Sequence, residues 1–290
     1  MLLPLSRDRL SFVAKTRGRF PDFAGSAWRG AFGHALRQTV CTTHLPSCPP
    51  CARYRDCLYP MIFETPPDPA GERLLGRNEG VPNPFVLAPG WTGTRVLQPG
   101  DEVGLEVTLV GRAMAEAELV FTSLAAAALQ GIGPDRVPLT LLERRPLPID
   151  ATSPMPPRIL LTFTTPLRLV EKGVLIKASS FRPHHLLGAL VRRISLLAQY
   201  HHSAAPELDF QELKHRAAAA AFAGTDLGWQ DWSRHSARQR AVIKMGGLVG
   251  TAVLPMAELE PFWPLLRLAP ALHVGKGTTM GLGAMTIAPA

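Results

Sequence analysis

The sequence predicts an α+β fold of tandem ferredoxin-like (RRM-like) βαββαβ domains, the first with a four-cysteine loop inserted. Three observations carry this. The order strand, helix, strand, strand, helix, strand can be read twice from apolar periodicity and turn residues. A stretch holding five prolines, Pro146 to Pro157, divides the two copies as a linker. A chain of 290 residues, 46% of them hydrophobic, is long enough for two cores. The domains are therefore set at 1–147, with the cysteine loop at 41–57, and at 158–290, with a glycine-rich loop at 275–283. The halves share no detectable identity, so the duplication is an argument from pattern.

In the first copy, Leu10 to Lys15 reads as a short strand. Ser26 is a candidate cap for a helix whose Trp28, Phe32, Leu36 and Val40 recur every four residues. The cysteine loop leads to a second short apolar run, Met61-Ile62-Phe63-Glu64. Glu72 to Gly100 is rich in Gly, Pro and Asn and reads as mostly loop. Val103 to Val110 alternates as a strand, Met114 to Gln130 is an alanine-rich helix closed by Gly131, and Leu139 to Leu142 is strand-like.

In the second copy a strand spans Ile159 to Thr164 and a helix runs from Pro183 to about His202. Phe210 to Phe222 reads as an extra helix. Strands follow around Trp229 to Trp232 and Val242 to Leu254, then a helix near Met256 to Leu268 and a last strand at Ala284 to Ile287.

Lys and Arg number 31 against 23 Asp and Glu, a net charge of +8, and the sequence pI is about 9.8. This balance favours nucleic acid or an acidic surface as partner. Arginine dominates the excess, which suits bidentate phosphate contacts and stacking on bases, although GC-rich codon usage produces the same bias. The segment Met1 to Arg9 holds too short an apolar run for a signal peptide, and no run approaches the roughly 18 apolar residues of a membrane span. A soluble, cytoplasmic protein is expected.

The most distinctive motif is His273-Val274-Gly275-Lys276-Gly277-Thr278-Thr279-Met280-Gly281-Leu282-Gly283. Glycines this close permit positive φ and close backbone approach, and their N–H groups can form a concave nest for an anion. It is not a phosphate-binding P-loop, because Pro270 stands where the first glycine belongs and Gly277 follows Lys276. It is not a dinucleotide fingerprint either, since it reads G-x-G-x-x-x-G and does not open a helix. A glycine-rich turn before an edge strand is the alternative.

All four cysteines, Cys41, Cys48, Cys51 and Cys57, fall in one C-x6-C-x2-C-x5-C window. Four thiolates in one loop suit a structural zinc ion or a [4Fe-4S] cluster better than disulfides. A redox pair at Cys48 and Cys51 is the competing reading. With all four positions filled by protein, such a centre has no open site to activate water. Arg53, Arg55, Tyr54 and Tyr59 make the loop a braced finger able to touch a phosphate backbone.

On the first helix, His34 projects with Gly30 and Arg37 from the face opposite Trp28, Phe32 and Leu36, since each residue advances by about 100°. That places His34 in reach of acid–base chemistry, with Arg37 beside it for a phosphate. The helix from Pro183 carries Arg192 and Arg193 flanking its apolar stripe, and His184 and His185 at its N-terminus, where an anion can sit. Trp229, Trp232, Arg234, His235, Arg238, Arg240 and Lys244 interleave aromatic and basic residues, as base stacking with phosphate contact requires. Tryptophans in a core are the bland reading.

Taken together, Trp28-Arg29-Gly30-Ala31-Phe32-Gly33-His34, the cysteine cluster followed by Tyr59 and Ile62-Phe63-Glu64, Ser233-Arg234-His235-Ser236-Ala237-Arg238-Gln239, Met245-Gly246-Gly247 and the terminal glycine motif give the chain a family likeness. It resembles the CRISPR-associated repeat endoribonucleases of the RAMP superfamily, over nearly its whole length. The resemblance implies metal-independent cleavage of repeat RNA in precursor CRISPR RNA, leaving a 2′,3′-cyclic phosphate and a 5′-hydroxyl. It maps the family's helix histidine onto His34, with Tyr54, Tyr59, Lys15 and Lys276 as candidate partners, while Arg37, one turn along the same face, is the candidate cation. Expected RNA contacts are Arg29, Arg192, Arg193, Arg234, Arg238, Arg240, Lys244, Gly275, Lys276, Gly277, Gly281 and Gly283. Expected partners are the CRISPR repeat RNA or crRNA and other Cas subunits of an effector complex, in which the protein stays bound to its crRNA. Two alternatives remain: a non-catalytic RAMP RNA-binding subunit, and an iron–sulfur DNA-processing enzyme, whose helix-hairpin-helix motif is not evident.

Overall fold

A computed structural model describes residues 3–66, 80–90, 93–202, 208–236 and 241–290. The chain divides into two units, one of Leu3–Leu147 with Ser195–Pro206, the other of Pro148–Ile194 with Glu207–Ala290.

The first unit contains β1 (Leu5–Ala14), β2 (Gly18–Phe20), α1 (Gly25–Val40), β3 (Phe85–Ala88), β4 (Arg95–Leu97), β5 (Glu102–Val110), α2 (Ala117–Gln130) and β6 (Leu139–Pro146). Its antiparallel sheet runs β3-β5-β1-β6, and β2 pairs separately with β4. Without the β2–β4 ribbon this is the ferredoxin-like order, with the first and third strands central. Along β1, Leu10, Phe12 and Ala14 alternate into a core shared with Trp28, Phe32 and Leu36 of α1 and Leu124 of α2. Each such large side chain withdrawn from water contributes roughly 1.5–3 kcal/mol.

Several expectations are corrected here. The first helix begins at Gly25 with Ala24 at its cap and no side-chain cap bond, so Ser26 lies inside the first turn. Buried Phe23 and Ala24 fix its start through packing. The stretch expected to be mostly loop contains β3 and β4. Phe85, Val86 and Leu87 are all buried, so β3 shows no alternation to signal a strand. The part of that stretch at 72–79 and 91–92 lies outside the described residues. Strand β6 continues to Pro146 along an exposed edge, where no apolar pattern marks it.

The second unit contains β7 (Arg158–Leu167), β8 (Val170–Glu171), β9 (Val174–Leu175), α3 (Pro183–His201), α4 (Phe210–Ala219), β10 (Gly224–Gln230), β11 (Ser233–Ser236), β12 (Ala241–Lys244), β13 (Gly247–Pro255), α5 (Trp263–Leu266), α6 (Ala269–Leu272) and β14 (Met285–Pro289). Its main sheet, β10-β13-β7-β14, repeats the order of the first, and two small hairpins, β8–β9 and β11–β12, are appended. From Ser195 onward, the residues of α3 group with the first unit. The fold is thus a tandem of ferredoxin-like domains.

The expected strand Val242 to Leu254 is two strands, β12 and β13, parted at Met245-Gly246. The expected helix Met256 to Leu268 is a 3-10 turn at Glu260–Phe262 followed by the short α5 and α6. Pro261, Pro264 and Pro270 each occupy an N-terminal helical position, where the missing N–H is harmless, and each therefore starts a new short helix instead of prolonging one. No helix among the described residues is long and apolar enough to cross a membrane.

Candidate nucleic-acid interface and cysteine loop

On α1, Trp28, Phe32 and Leu36 are fully buried while Gly30 and His34 are exposed. His34 has no hydrogen-bond partner among the described residues, unlike a histidine held in a core. The apolar run Met61 to Glu64, which stood as the second strand in the expected order, is instead a π-helical turn, Pro60–Glu64, that lays Phe63 across Gly33, and Phe85–Ala88 takes the strand's place in the sheet. A Cβ at Gly33 would fall 2.3 Å from that ring, so glycine is what admits it. Phe63 stacks on Tyr59 at 5.4 Å, the Arg29 guanidinium lies 4.3 Å over Phe63, and that of Arg37 lies 5.9 Å over Tyr59.

Arg37 departs from its expected place. Its Nη2 donates to Leu45 O and its Nη1 to Pro46 O at 3.4 Å, which turns it back onto the cysteine loop. It braces that loop and does not stand open beside His34. Burial pushes the Tyr59 phenol up to about 12 and raises Tyr54 as well, so neither is a ready base near neutral pH. Lys15 is exposed.

The four thiols are free, and all line one cavity of about 20 Å³ together with Arg37, Thr43 and Tyr59. Tight turns shape it, with Cys51 N–H donating to Cys48 O and Cys57 N–H to Arg53 O. The Thr43 hydroxyl lies 3.9 Å from Cys41 Sγ and 3.5 Å from Cys51 Sγ. The donor set fits a structural zinc ion or an iron–sulfur cluster, since four soft ligands face one space. The sulfurs stand wider than a closed shell: among the described residues, the one group of three or more His, Cys, Asp or Glu ligand atoms within 4.8 Å of one another is Glu171, His184 and His185. Closing around a metal therefore calls for side-chain rotation in the loop.

In the second unit the glycine loop is held by the sheet. Gly275, Gly277, Gly281 and Gly283 have φ of 89°, 84°, 86° and 68°. The expectation that all four present N–H groups to RNA is corrected for two. Gly281 donates to Thr278 O at 2.9 Å and Gly283 to Pro166 O at 3.1 Å, and both are buried. The buried Thr165 hydroxyl donates to Gly281 O and accepts from Ala284 N–H, both at 2.9 Å. The N–H groups of Gly275 and Gly277 donate to no carbonyl among the described residues. Lys276 carries an exposed side chain, while its own N–H donates to Arg168 O.

Arg193 is also corrected. It is buried, donates from Nε to Leu272 O at 2.9 Å, and is pushed down to about 10 by desolvation, so it anchors the approach to the glycine loop instead of standing at the surface. Arg192 is half-buried on α3. His273 is likewise structural, being buried with Nδ1 3.2 Å from Leu282 O. His185 accepts the Arg182 N–H at Nδ1, its ring centre lies 4.0 Å from that of His184, and burial lowers its pKa. Strand β11 holds Arg234 by backbone pairing to Ile243, and Lys244 is exposed at the end of β12. Arg238 and Arg240 lie outside the described residues.

Sequence reasoning passed over Arg168. Its guanidinium is half-buried and donates to Gly246 O, and its backbone carbonyl receives the Lys276 N–H. The available signal was a lone charge interrupting the apolar run Pro166-Leu167-Arg168-Leu169-Val170.

Residues 161–285 match the family model described as CRISPR-associated endoribonuclease Cas6, and residues 3–149 match an N-terminal domain model, AF_1859_N. No curated protein matches the chain by sequence. A Cas6 product complex is similar at TM-score 0.61 and 16% identity, covering 99% of this chain and 100% of that one. A second Cas6 product complex is similar at TM-score 0.57 and 20% identity, covering 98% and 99%. A chain of a partial Cas6-RT-Cas1–Cas2 complex is similar at TM-score 0.58 and 14% identity, covering all of this chain and 47% of that one. The Cas6 endoribonuclease model thus matches the second half of the chain, a separate N-terminal domain model matches the first, and the solved Cas6 structures share the tandem fold.

Proposed function

We propose that the protein is a Cas6-type endoribonuclease of precursor CRISPR RNA, which cuts within repeat RNA without a catalytic metal. A ribose 2′-oxygen attacks the adjacent phosphorus, the P–O5′ bond breaks, and the products are a 2′,3′-cyclic phosphate and a 5′-hydroxyl. The proton leaving the 2′-hydroxyl and the proton reaching the 5′-oxygen balance, so one imidazole can serve either transfer. The observation that carries the reading is His34, exposed on α1 with no internal partner, opposite the buried stripe that fixes the helix.

RNA docking draws on Lys276 and the N–H groups of Gly275 and Gly277, with Arg29, Lys244, Arg234 and the hairpin around it adding positive charge. The repeat RNA is the substrate and the crRNA the retained product, and other Cas proteins are partners. The product complexes and the Cas6-RT-Cas1–Cas2 assembly of similar proteins support this. Cys41, Cys48, Cys51 and Cys57 hold a structural Zn²⁺, or alternatively a [4Fe-4S] cluster, which supplies cross-linking of the loop and no chemistry. The site of action is the cytoplasm.

The test is single-turnover cleavage of the repeat RNA in EDTA with analysis of both product ends. His34→Ala should retain binding and slow cleavage on the order of 10²-fold or more. Cleavage at the parental rate places the centre elsewhere, and binding without cleavage by the parental protein identifies a non-catalytic RAMP subunit.

A further inference from the structure

Arg168 follows directly on β7, and three glycines crowd it. A Cβ at Gly247 would fall 3.0 Å from Arg168 Cγ, and one at Gly275 would fall 2.5 Å from Arg168 O. The third, Gly246, offers its carbonyl to Nη1. The stem is thus packed by backbone on one side while the arginine's own carbonyl holds Lys276 on the other. No ion pair of Arg168 with a carboxylate occurs among the described residues, whereas Arg7, Arg19, Arg144 and Arg216 each have at least one. Asp231, which lies against Gly246, is held by the indole N–H of Trp229 at 2.9 Å. Partial burial lowers the Arg168 pKa with no acid to offset it, and a guanidinium carries five donors, of which a single carbonyl takes one.

We infer that the Arg168 guanidinium binds one phosphodiester of the RNA backbone, beside the glycine loop that its own carbonyl anchors. A planar fork with spare donors, partly withdrawn from water, matches the two free oxygens of a phosphodiester, and the anion supplies the missing countercharge. The inference rests on the reading of the chain as an RNA-binding endoribonuclease and adds to it a subsite outside the glycine motif.

The experiment measures binding of 2′-O-methyl repeat RNA, which lacks the attacking hydroxyl, across a salt series. Arg168→Gln should weaken binding roughly 5- to 20-fold at low salt and flatten the salt slope by about one phosphate contact. A scan with single methylphosphonate linkages should find one linkage that costs the wild type a similar factor and costs Arg168→Gln nothing further. Coincident salt slopes, or equal methylphosphonate penalties in both proteins at every linkage, overturn the assignment. Should Arg168→Gln fail to fold, Arg168→Lys carries the same scan: the penalty at that linkage should shrink with loss of the fork, and a full penalty overturns the idea. A wild-type protein that does not bind the repeat overturns the functional reading as well.

Discussion

The cysteine loop of the first unit and the glycine loop of the second are both irregular segments joined to a ferredoxin-like sheet, yet they are ordered by different means. The glycine loop is tied to β7 by Gly283 N–H, Lys276 N–H and the Thr165 hydroxyl, with backbone approaches that only glycine allows. The cysteine loop is held by short turns and by Arg37, and its thiols face a shared space without converging. One loop is shaped by the sheet itself, and the other, on the proposed reading, is completed by a bound metal. Preorganisation suits docking of a backbone, where lost loop entropy would weaken binding.

Metal removal should break this contrast most visibly. Structural zinc sites carry on the order of 10 kcal/mol of binding free energy, so stripping the metal or making Cys48→Ser should abolish amide-exchange protection at 41–59 and leave 275–283 protected. Elemental analysis with visible absorption separates zinc from iron–sulfur. A metal-free, fully reduced protein that keeps the loop protected would remove the centre.

Gly283→Ala should act in the opposite unit. Its φ of 68° and the 1.8 Å approach of a Cβ to Val274 O combine strain with overlap, costing about 3–4 kcal/mol. Denaturant unfolding should show the loss, with metal content unchanged. Near-parental stability would mean that the glycine loop deforms freely and is not preshaped.

Arg37→Ala should have the smallest effect. Two hydrogen bonds at a solvent-facing loop are worth about 1 kcal/mol, read as faster amide exchange at 41–48. If Arg37 acts only as a brace, cleavage should fall far less than in His34→Ala. Equal losses in the two variants would restore Arg37 as a group at the phosphate.

Much of this was legible in the residues. The stripe of Trp28, Phe32 and Leu36 gives α1 its buried face, and therefore gives His34 its exposed one. The glycine spacing announced positive φ, and the cysteine spacing announced one cluster of thiols around one cavity. Periodicity is a local property, and these features are local. What escaped were partners distant in the chain: β3 pairing to β5, Arg193 reaching Leu272, Arg168 lodged against Gly246 and Gly275.

By itself, then, the sequence determined the tandem α+β fold class, the side of α1 on which His34 stands, and the gathering of four thiols in the cysteine loop. Only the tertiary structure decided where each arginine spends its hydrogen bonds, burying Arg193, folding Arg37 onto Leu45 and Pro46, and leaving Arg168 without a carboxylate among the described residues. The same holds for Gly281 and Gly283, whose N–H groups are taken by Thr278 and Pro166. A side chain's composition fixes how many donors it has, but the acceptor is supplied by whichever backbone the fold brings alongside.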